Sequence, residues 1–160
     1  NSNPEILKIG DTSAEMVDKL NEIIWALNTG NDTISSLVAY MRKFANNFLA
    51  NTRTELIYEE KNVPSEKPID GIARRNIYLA TKEAINNIVK HSGATKVEMD
   101  IDAYDGLQIQ IKDNGKGIDT KQLHPFGNGL INMKKRMEDI GGEFSIENNG
   151  GTLITLNYRK

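Results

Sequence analysis

Cysteine is absent from the 160 residues, which excludes disulfides and thiolate metal sites. Histidine is nearly absent. His91 and His124 lie far apart with no ligand spacing around them, so a structural metal site is not expected. No apolar run approaches membrane-spanning length, and no secretory signal is visible. A strong charge of either sign is missing too: the net charge is −2 and the pI about 5.8. The basic surface that displaces counterions from nucleic acid is therefore lacking, and no nucleic-acid partner is expected. Proline is scarce, and two of the four prolines, Pro64 and Pro68, fall in the stretch 61–68, which reads as a loop.

A hydrophobic content of 38% and a charged content of 26% fit a soluble globular protein. A chain this size buries roughly 70% of its extended surface on folding, enough for one domain with a full core and room for an extra segment. The chain opens on Asn1, and the expectation is a piece of a longer protein. The domain itself is expected to be cytoplasmic, and its parent could carry a membrane anchor.

Residues 1–11 read as irregular lead-in, and Thr12 with Glu15 reads as a capping box that starts a helix. Met16, Leu20, Ile23 and Leu27 then recur at alternating four- and three-residue steps, with Val17 and Ile24 beside them, as in a heptad seam. That seam fits a helix packed against another helix or a partner chain; an amphipathic helix lying on its own domain is the alternative. Asn28 to Asp32 breaks the helix. Asp32 or Thr33 caps the next one, whose apolar positions Ile34, Leu37, Val38, Met41, Phe44, Ala45 and Phe48 form a wide face suited to a sheet. Thr54 to Glu60 reads as a strand. A long helix is expected over 69–91, closed by Ser92-Gly93-Ala94. Asn76, Glu83, Asn87 and Lys90 share one flank of it, where asparagine is an unusual choice for plain solvation.

Val97, Met99, Ile101 and Ala103 alternate with polar residues, as do Leu107, Ile109 and Ile111, and Tyr104-Asp105-Gly106 joins the two runs as a hairpin. The stretch 115–129 is glycine-bearing and poor in apolar residues, as a mobile flap would be. Leu130, Met133, Met137 and Ile140 mark a further helix stopped by Gly141, with Lys134, Lys135 and Arg136 outward. Two last strands, 143–148 and 152–158, flank Asn149-Gly150-Gly151. The expected fold class is α/β: a two-layer sandwich with a mixed five-stranded sheet, three helices on one face and one N-terminal helix before them.

Chemistry gathers at Asp113-Asn114-Gly115-Lys116-Gly117-Ile118. Asp-Asn-Gly is also a common turn, but here an acid at a strand end is followed by glycines that let backbone approach a ligand. A purine nucleotide would use such a set. Its exocyclic amine needs a buried acceptor, which Asp113 offers. Its phosphates need backbone donors, which the helix opening at Gly127-Asn128-Gly129-Leu130 offers. Mg²⁺ prefers oxygen ligands, and Asn87 supplies an amide oxygen. Lys90 adds a charge near phosphate, and Glu83, one turn before Asn87, can orient or deprotonate a nucleophile.

These residues resemble the ATP-binding domain shared by gyrase, Hsp90, histidine kinases and MutL, the Bergerat or GHKL fold. Glu83 to Lys90 is similar to its N box, Asp113-x-Gly115-x-Gly117 to its first glycine box, Gly127-x-Gly129-Leu130 to its second, and Gly151-Thr152 to the Gly-Thr beside the adenine. Within that superfamily Asn87-x-x-Lys90-His91-Ser92, Phe126 to Leu130 and Asn21 to Asn28 resemble sensor histidine kinases of the NarX and DesK type.

The resemblance implies a protein histidine kinase fragment that binds ATP and Mg²⁺ through Asn87, Lys90, His91, Asp113, Gly115, Gly117, Ile118, Gly127, Gly129, Leu130 and Thr152, with Glu83 catalytic and Asn87 on the metal. It divides the chain into 1–31, part of a dimerisation domain, and 32–160, the ATP-binding domain. The partners it implies are a response regulator, the phosphoacceptor helix of its own or a partner chain, and a second copy in a homodimer. Neither His91 nor His124 has the setting of that family's phosphoacceptor, so this fragment is expected to lack one. A stand-alone serine kinase of the anti-sigma-factor sort, or a non-catalytic ATP-binding module, is the alternative on the same fold.

Overall fold

The computed structural model describes residues 4–118, 128–148 and 150–159; the side chains of 4–11 and 31 are not described. Nine elements organise the described residues: helix α1 (Pro4–Leu27), α2 (Ile34–Ala50), strand β1 (Glu55–Lys61), α3 (Gly71–Asn87), β2 (Lys96–Asp102), β3 (Leu107–Asp113), α4 (Gly129–Glu138), β4 (Glu143–Asn148) and β5 (Thr152–Tyr158). A short 3₁₀ turn, Thr29–Asn31, separates α1 from α2, and a π turn, Ile88–Ser92, ends α3. The strand order is β1-β2-β3-β5-β4, with β1 and β2 parallel and the other pairs antiparallel. The α/β class and the mixed five-stranded sheet are as the sequence predicts.

Period-2 alternation decides which face of the sheet is covered. Val97, Met99 and Ile101 of β2, Ile109 and Ile111 of β3, and Ile154 and Leu156 of β5 are all buried under the helices. From the helix side come Leu37, Met41 and Ala45 of α2, Ile77, Ala80, Ala84 and Ile85 of α3, and Met133 and Met137 of α4. Small residues on α3 let it lie close to the sheet. The caps are those the sequence allows. The Thr33 hydroxyl accepts from the Ser36 N–H at the start of α2, and Asp70 accepts from the N–H groups of Ile72 and Ala73 at the start of α3. Gly93, with φ 66°, closes the π turn.

Two boundaries differ from expectation. Helix α1 begins at Pro4, so Thr12 and Glu15 lie inside a helix and not at its start. Proline is well suited to the first helical turn because its missing N–H would have no partner there. Helix α3 is regular only from Gly71 to Asn87, because Asp70 caps it two residues late and the chain widens into the π turn before Gly93. The expected flap lies mostly within 119–127, outside the described residues.

Helix α1 meets the rest of the domain near its C-terminal end. Trp25 stacks on Tyr40 with ring centroids 4.0 Å apart and tilts against Tyr78 at 5.4 Å. Burial pushes the phenols of Tyr40 and Tyr78 up, so both remain neutral and pack as rings. Lys82 pairs with Glu22 at 2.5 Å. The seam residues Met16, Val17, Leu20, Ile23, Ile24 and Leu27 are all more than half exposed, so the seam lies off the domain surface. Among the described residues no helix is long and apolar enough to cross a membrane.

Candidate nucleotide site

Strand β3 buries Leu107, Ile109 and Ile111, and the next residue in that alternation is Asp113. The same pleat that aims the apolar side chains at the helices therefore aims a carboxylate there, at the end of the row, where Asp113 is only 2% exposed. Strand β5 repeats the arrangement with Thr152, Ile154, Leu156 and Tyr158 on its covered face. The antiparallel register pairs Lys112 with Leu153, and one step further sets Asp113 opposite Thr152. A carboxylate and a hydroxyl thus share the end of the core.

The loop after Asp113 is fixed on several sides. Asp113 Oδ1 accepts from the Gly115 N–H at 2.7 Å, which orients the carboxylate and leaves Oδ2 free. The Asn114 amide oxygen accepts from the N–H groups of Thr95 and Lys96, and the Lys116 N–H donates to the Ser92 carbonyl at 3.0 Å. Gly115 has no room for a side chain: a Cβ there would run into the Ser92 carbonyl and sit 2.7 Å from the Ser92 Cβ. At Gly151, φ 137°, a Cβ would overlap the Asp113 carbonyl oxygen. Both glycines permit close approach of chain to chain. Ile118, buried, ends the loop. The Asn148 side chain holds it by accepting from the Ile118 N–H at 2.9 Å and donating to the Ile118 carbonyl at 2.7 Å.

Helix α4 opens against α3. A Cβ on Gly129 would collide with Glu83 Oε1 and stand 3.2 Å from Asn87 Nδ2, so glycine lets the α4 N-terminus sit directly on those two side chains. The N-cap, Asn128, makes no side-chain capping bond, so its side chain leaves the first-turn N–H groups unclaimed. Leu130 is buried behind them. Lys90 is exposed on the π turn and His91 half-buried beside it. Asn76, from the same flank of α3, accepts from Arg136 at 3.4 Å and belongs to the α3–α4 contact instead. Gly127 lies outside the described residues.

Five buried side-chain polar atoms among the described residues lack a hydrogen-bond partner: Asp32 Oδ1, Arg74 Nε, Asn87 Nδ2, Asp113 Oδ2 and Thr152 Oγ1. The first two face each other at 3.0 Å as an ion pair, though not aligned as a hydrogen bond. The other three are all residues singled out from the sequence. An unsatisfied buried polar group costs about 1–3 kcal/mol, so Asp113 and Thr152, opposite each other at the strand ends, and Asn87, beside Gly129, are positions suited to polar partners from elsewhere.

The donor set suits a purine nucleotide: an acceptor for an amine at Asp113, a hydroxyl beside it at Thr152, an amide at Asn87, and N–H groups left uncapped by the Asn128 side chain at the start of α4. Among the described residues no group of three or more His, Cys, Asp or Glu could hold a metal unaided. An ion here would take its remaining ligands from phosphate and water, as Mg²⁺ does.

The family model described as histidine kinase-, DNA gyrase B-, and HSP90-like ATPase matches residues 73–160, more than half of the chain. The chain belongs to this ATPase family. Its nucleotide is accordingly ATP. The match spans the residues just described, from the flank of α3 to Thr152 on β5.

Among relatives, the chain is 35% identical over 89 residues to the sensor histidine kinase YvfT of Bacillus subtilis, covering 55% of this chain and 24% of that protein. It is 38% identical over 72 residues to the sensor protein VraS of Staphylococcus epidermidis, covering 44% of this chain and 21% of that protein. The aligned region is thus about a quarter or less of the length of these relatives. Among solved structures, the ATP binding domain of PrrB from Mycobacterium tuberculosis superposes with a TM-score of 0.58 at 25% identity, over 76% of this chain and 93% of that one. The Acinetobacter baumannii histidine kinase AdeS superposes at 0.64 with 18% identity, over 97% and 82%, which shows a shared fold.

Residues that were not among the expected site residues support the loop after Asp113. Asn148, Ser92 and Thr95 hold the loop after Asp113 in place. Asn148 stands at a strand end next to an Asn-Gly-Gly turn, and a serine before a glycine signals a helix end. Neither pattern reveals a contact made across the sheet.

Proposed function

We propose that this chain is the ATP-binding catalytic part of a sensor histidine kinase, whose γ-phosphoryl acceptor is a histidine on a dimerisation helix outside these residues. In this reading residues 1–31 belong to the dimerisation domain and 32–160 form the ATP-binding domain. The observation that carries it is the set of unpartnered buried atoms on Asn87, Asp113 and Thr152.

Asp113 Oδ2 accepts from the adenine amine while Oδ1 stays on Gly115, so the acceptor is oriented before the base arrives. Thr152 offers its hydroxyl to the same base. The N–H groups opening α4 and the charge of Lys90 receive the phosphates, with Gly115, Gly117 and Ile118 shaping the wall and Leu130 backing α4. Asn87 would hold Mg²⁺, which neutralises phosphate charge when bound. The imidazole nitrogen forms a bond to the γ-phosphorus as the bond to the β,γ-bridging oxygen breaks, and ADP leaves with that electron pair. Glu83 orients the nucleophile or takes a proton from it. A response-regulator aspartate then receives the phosphoryl group.

The direct test supplies the parent's phosphoacceptor helix in trans with Mg²⁺ and ATP. Acid-labile phosphate on a histidine of that helix is expected; acid-stable phosphoserine on a separate protein would favour the serine-kinase alternative. Asp113→Asn is expected to weaken ATP by about 1.5–3 kcal/mol through loss of a charge-assisted hydrogen bond. Unchanged affinity by calorimetry would remove Asp113 from the site.

A further inference from the structure

We propose that Asn148 is a positioning residue for nucleotide recognition: its side-chain amide grips Ile118 from both sides and fixes the second half of the Asp113 loop against the β4–β5 pair. The inference rests on the nucleotide reading of the site.

The loop has two halves with different supports. Its first half is tied back to β2 and the π turn through Asn114 and Lys116. Its second half, Gly117 and Ile118, reaches across to the other side of Asp113, where Asn148 ends β4. There the amide oxygen accepts from the Ile118 N–H at 2.9 Å and the amide nitrogen donates to the Ile118 carbonyl at 2.7 Å. A side chain that satisfies both backbone groups of one residue acts as a strand partner for that residue. Asn148 is exposed and free to point to water, yet both arms of its amide are spent on Ile118.

The same contact explains Gly117. Its φ is +76°, and a Cβ there would stand 2.8 Å from Asn148 Oδ1. Asn148 is also the Cα partner of Thr152 across the β4–β5 hairpin. One side chain therefore ties the loop that begins at Asp113 to the strand pair that carries Thr152. The two groups with free polar atoms at the base end of the site are held in register through it.

A purely structural clip would stabilise the hairpin without favouring one base over another. A positioning residue must affect base recognition. The test is calorimetric titration of the whole chain with ATP and with GTP, alongside thermal unfolding and amide exchange at Ile118. Asn148→Ala is expected to bind ATP about five- to tenfold more weakly, with a smaller ATP-over-GTP preference and a faster-exchanging Ile118 amide. Glu147→Ala, on the neighbouring exposed position of β4, is expected to change none of these.

Wild-type ATP affinity in Asn148→Ala would overturn the proposal. So would an affinity loss that leaves the ATP-over-GTP ratio intact and tracks lost thermal stability. Failure of the unsubstituted chain to bind ATP would instead sink the nucleotide reading itself. Should the alanine variant not fold, Asn148→Asp carries the same test. It keeps an acceptor for the Ile118 N–H, sets a second oxygen against the Ile118 carbonyl, and must also narrow the ratio.

Discussion

At the residue scale, Asp113 is both the fourth member of a core row and the first member of the proposed nucleotide site. Its neighbours Leu107, Ile109 and Ile111 could be swapped among aliphatic residues, whereas Asp113 is a buried carboxylate with one oxygen unpartnered. Asn87 makes a second case. Asn87→Ala is expected to weaken ATP more in the presence of Mg²⁺ than in its absence, and equal losses in paired titrations would reassign Asn87 to packing against Gly129. The glycines differ in kind and can be ranked. Gly93 has φ 66° and nothing within 4 Å of a Cβ, so Gly93→Ala meets only backbone strain, about 1–2 kcal/mol. Gly151→Ala would in addition drive a methyl into the Asp113 carbonyl and part β3 from β5. Urea midpoints should put Gly151→Ala well below Gly93→Ala, and equal midpoints would mean the strand ends yield freely. The sequence made Asp113, Asn87 and Gly129 legible because each breaks a local habit: an acid closing a strand, an asparagine on a helix flank, a glycine opening a helix. Asn148 breaks no habit, and only the folded chain shows what it touches.

At the element scale, the junction between α1 and the domain depends on Arg74. An arginine in a helix normally reads as solvent-facing, and the sequence gives no sign that this one, in the first turn of α3, is 1% exposed. Its guanidinium donates to the carbonyls of Trp25 and Ala26 at 2.8 Å, pairs with Asp32 at 3.0 Å and stacks 4.3 Å from the Trp25 ring centroid. One side chain thus caps the C-terminal end of α1, where carbonyls have no partner within the helix and a positive charge is favoured. Arg74→Met keeps most of the volume and removes the charge and donors. The expected cost is about 2–4 kcal/mol, since Asp32 and the α1 carbonyls lose their partner. Trp25 is the chain's single tryptophan, so its emission reports the junction directly and should shift to the red as the end of α1 loosens. ATP affinity should hold. An unshifted emission with an unchanged urea midpoint would mean that ring stacking on Tyr40 suffices. The error in the start of α1 has a similar origin. Thr12 and Glu15 have the spacing of a capping box, but that spacing also occurs inside helices, and Pro4 upstream starts the helix first.

At the scale of the whole molecule, α1 has two faces with different uses. At 100° per residue, Glu22, Trp25 and Ala26 fall on one side of the helix, and those are its partly buried positions among the described side chains. Met16, Leu20, Ile23 and Leu27 fall on the opposite side, 51–76% exposed, with Val17 and Ile24 beside them. The docked face is held through Arg74 and the aromatic stack, so whatever binds the bare face is mechanically joined to the unit that holds ATP. A contiguous seam of this kind facing water is unfavourable unless covered, because each large aliphatic side chain gains about 1.5–3 kcal/mol on full burial. Its heptad spacing suits another helix, and the second helix available in a solution of this chain is a second α1. Sedimentation equilibrium is therefore expected to find a concentration-dependent dimer. Ile24→Glu, which places a charge in the seam without touching the docked face, should return a monomer with the same ATP affinity and the same Trp25 emission. A dimer that survives Ile24→Glu together with Leu20→Glu would locate self-association elsewhere, and a chain that is monomeric throughout would leave the seam for a helix of different sequence.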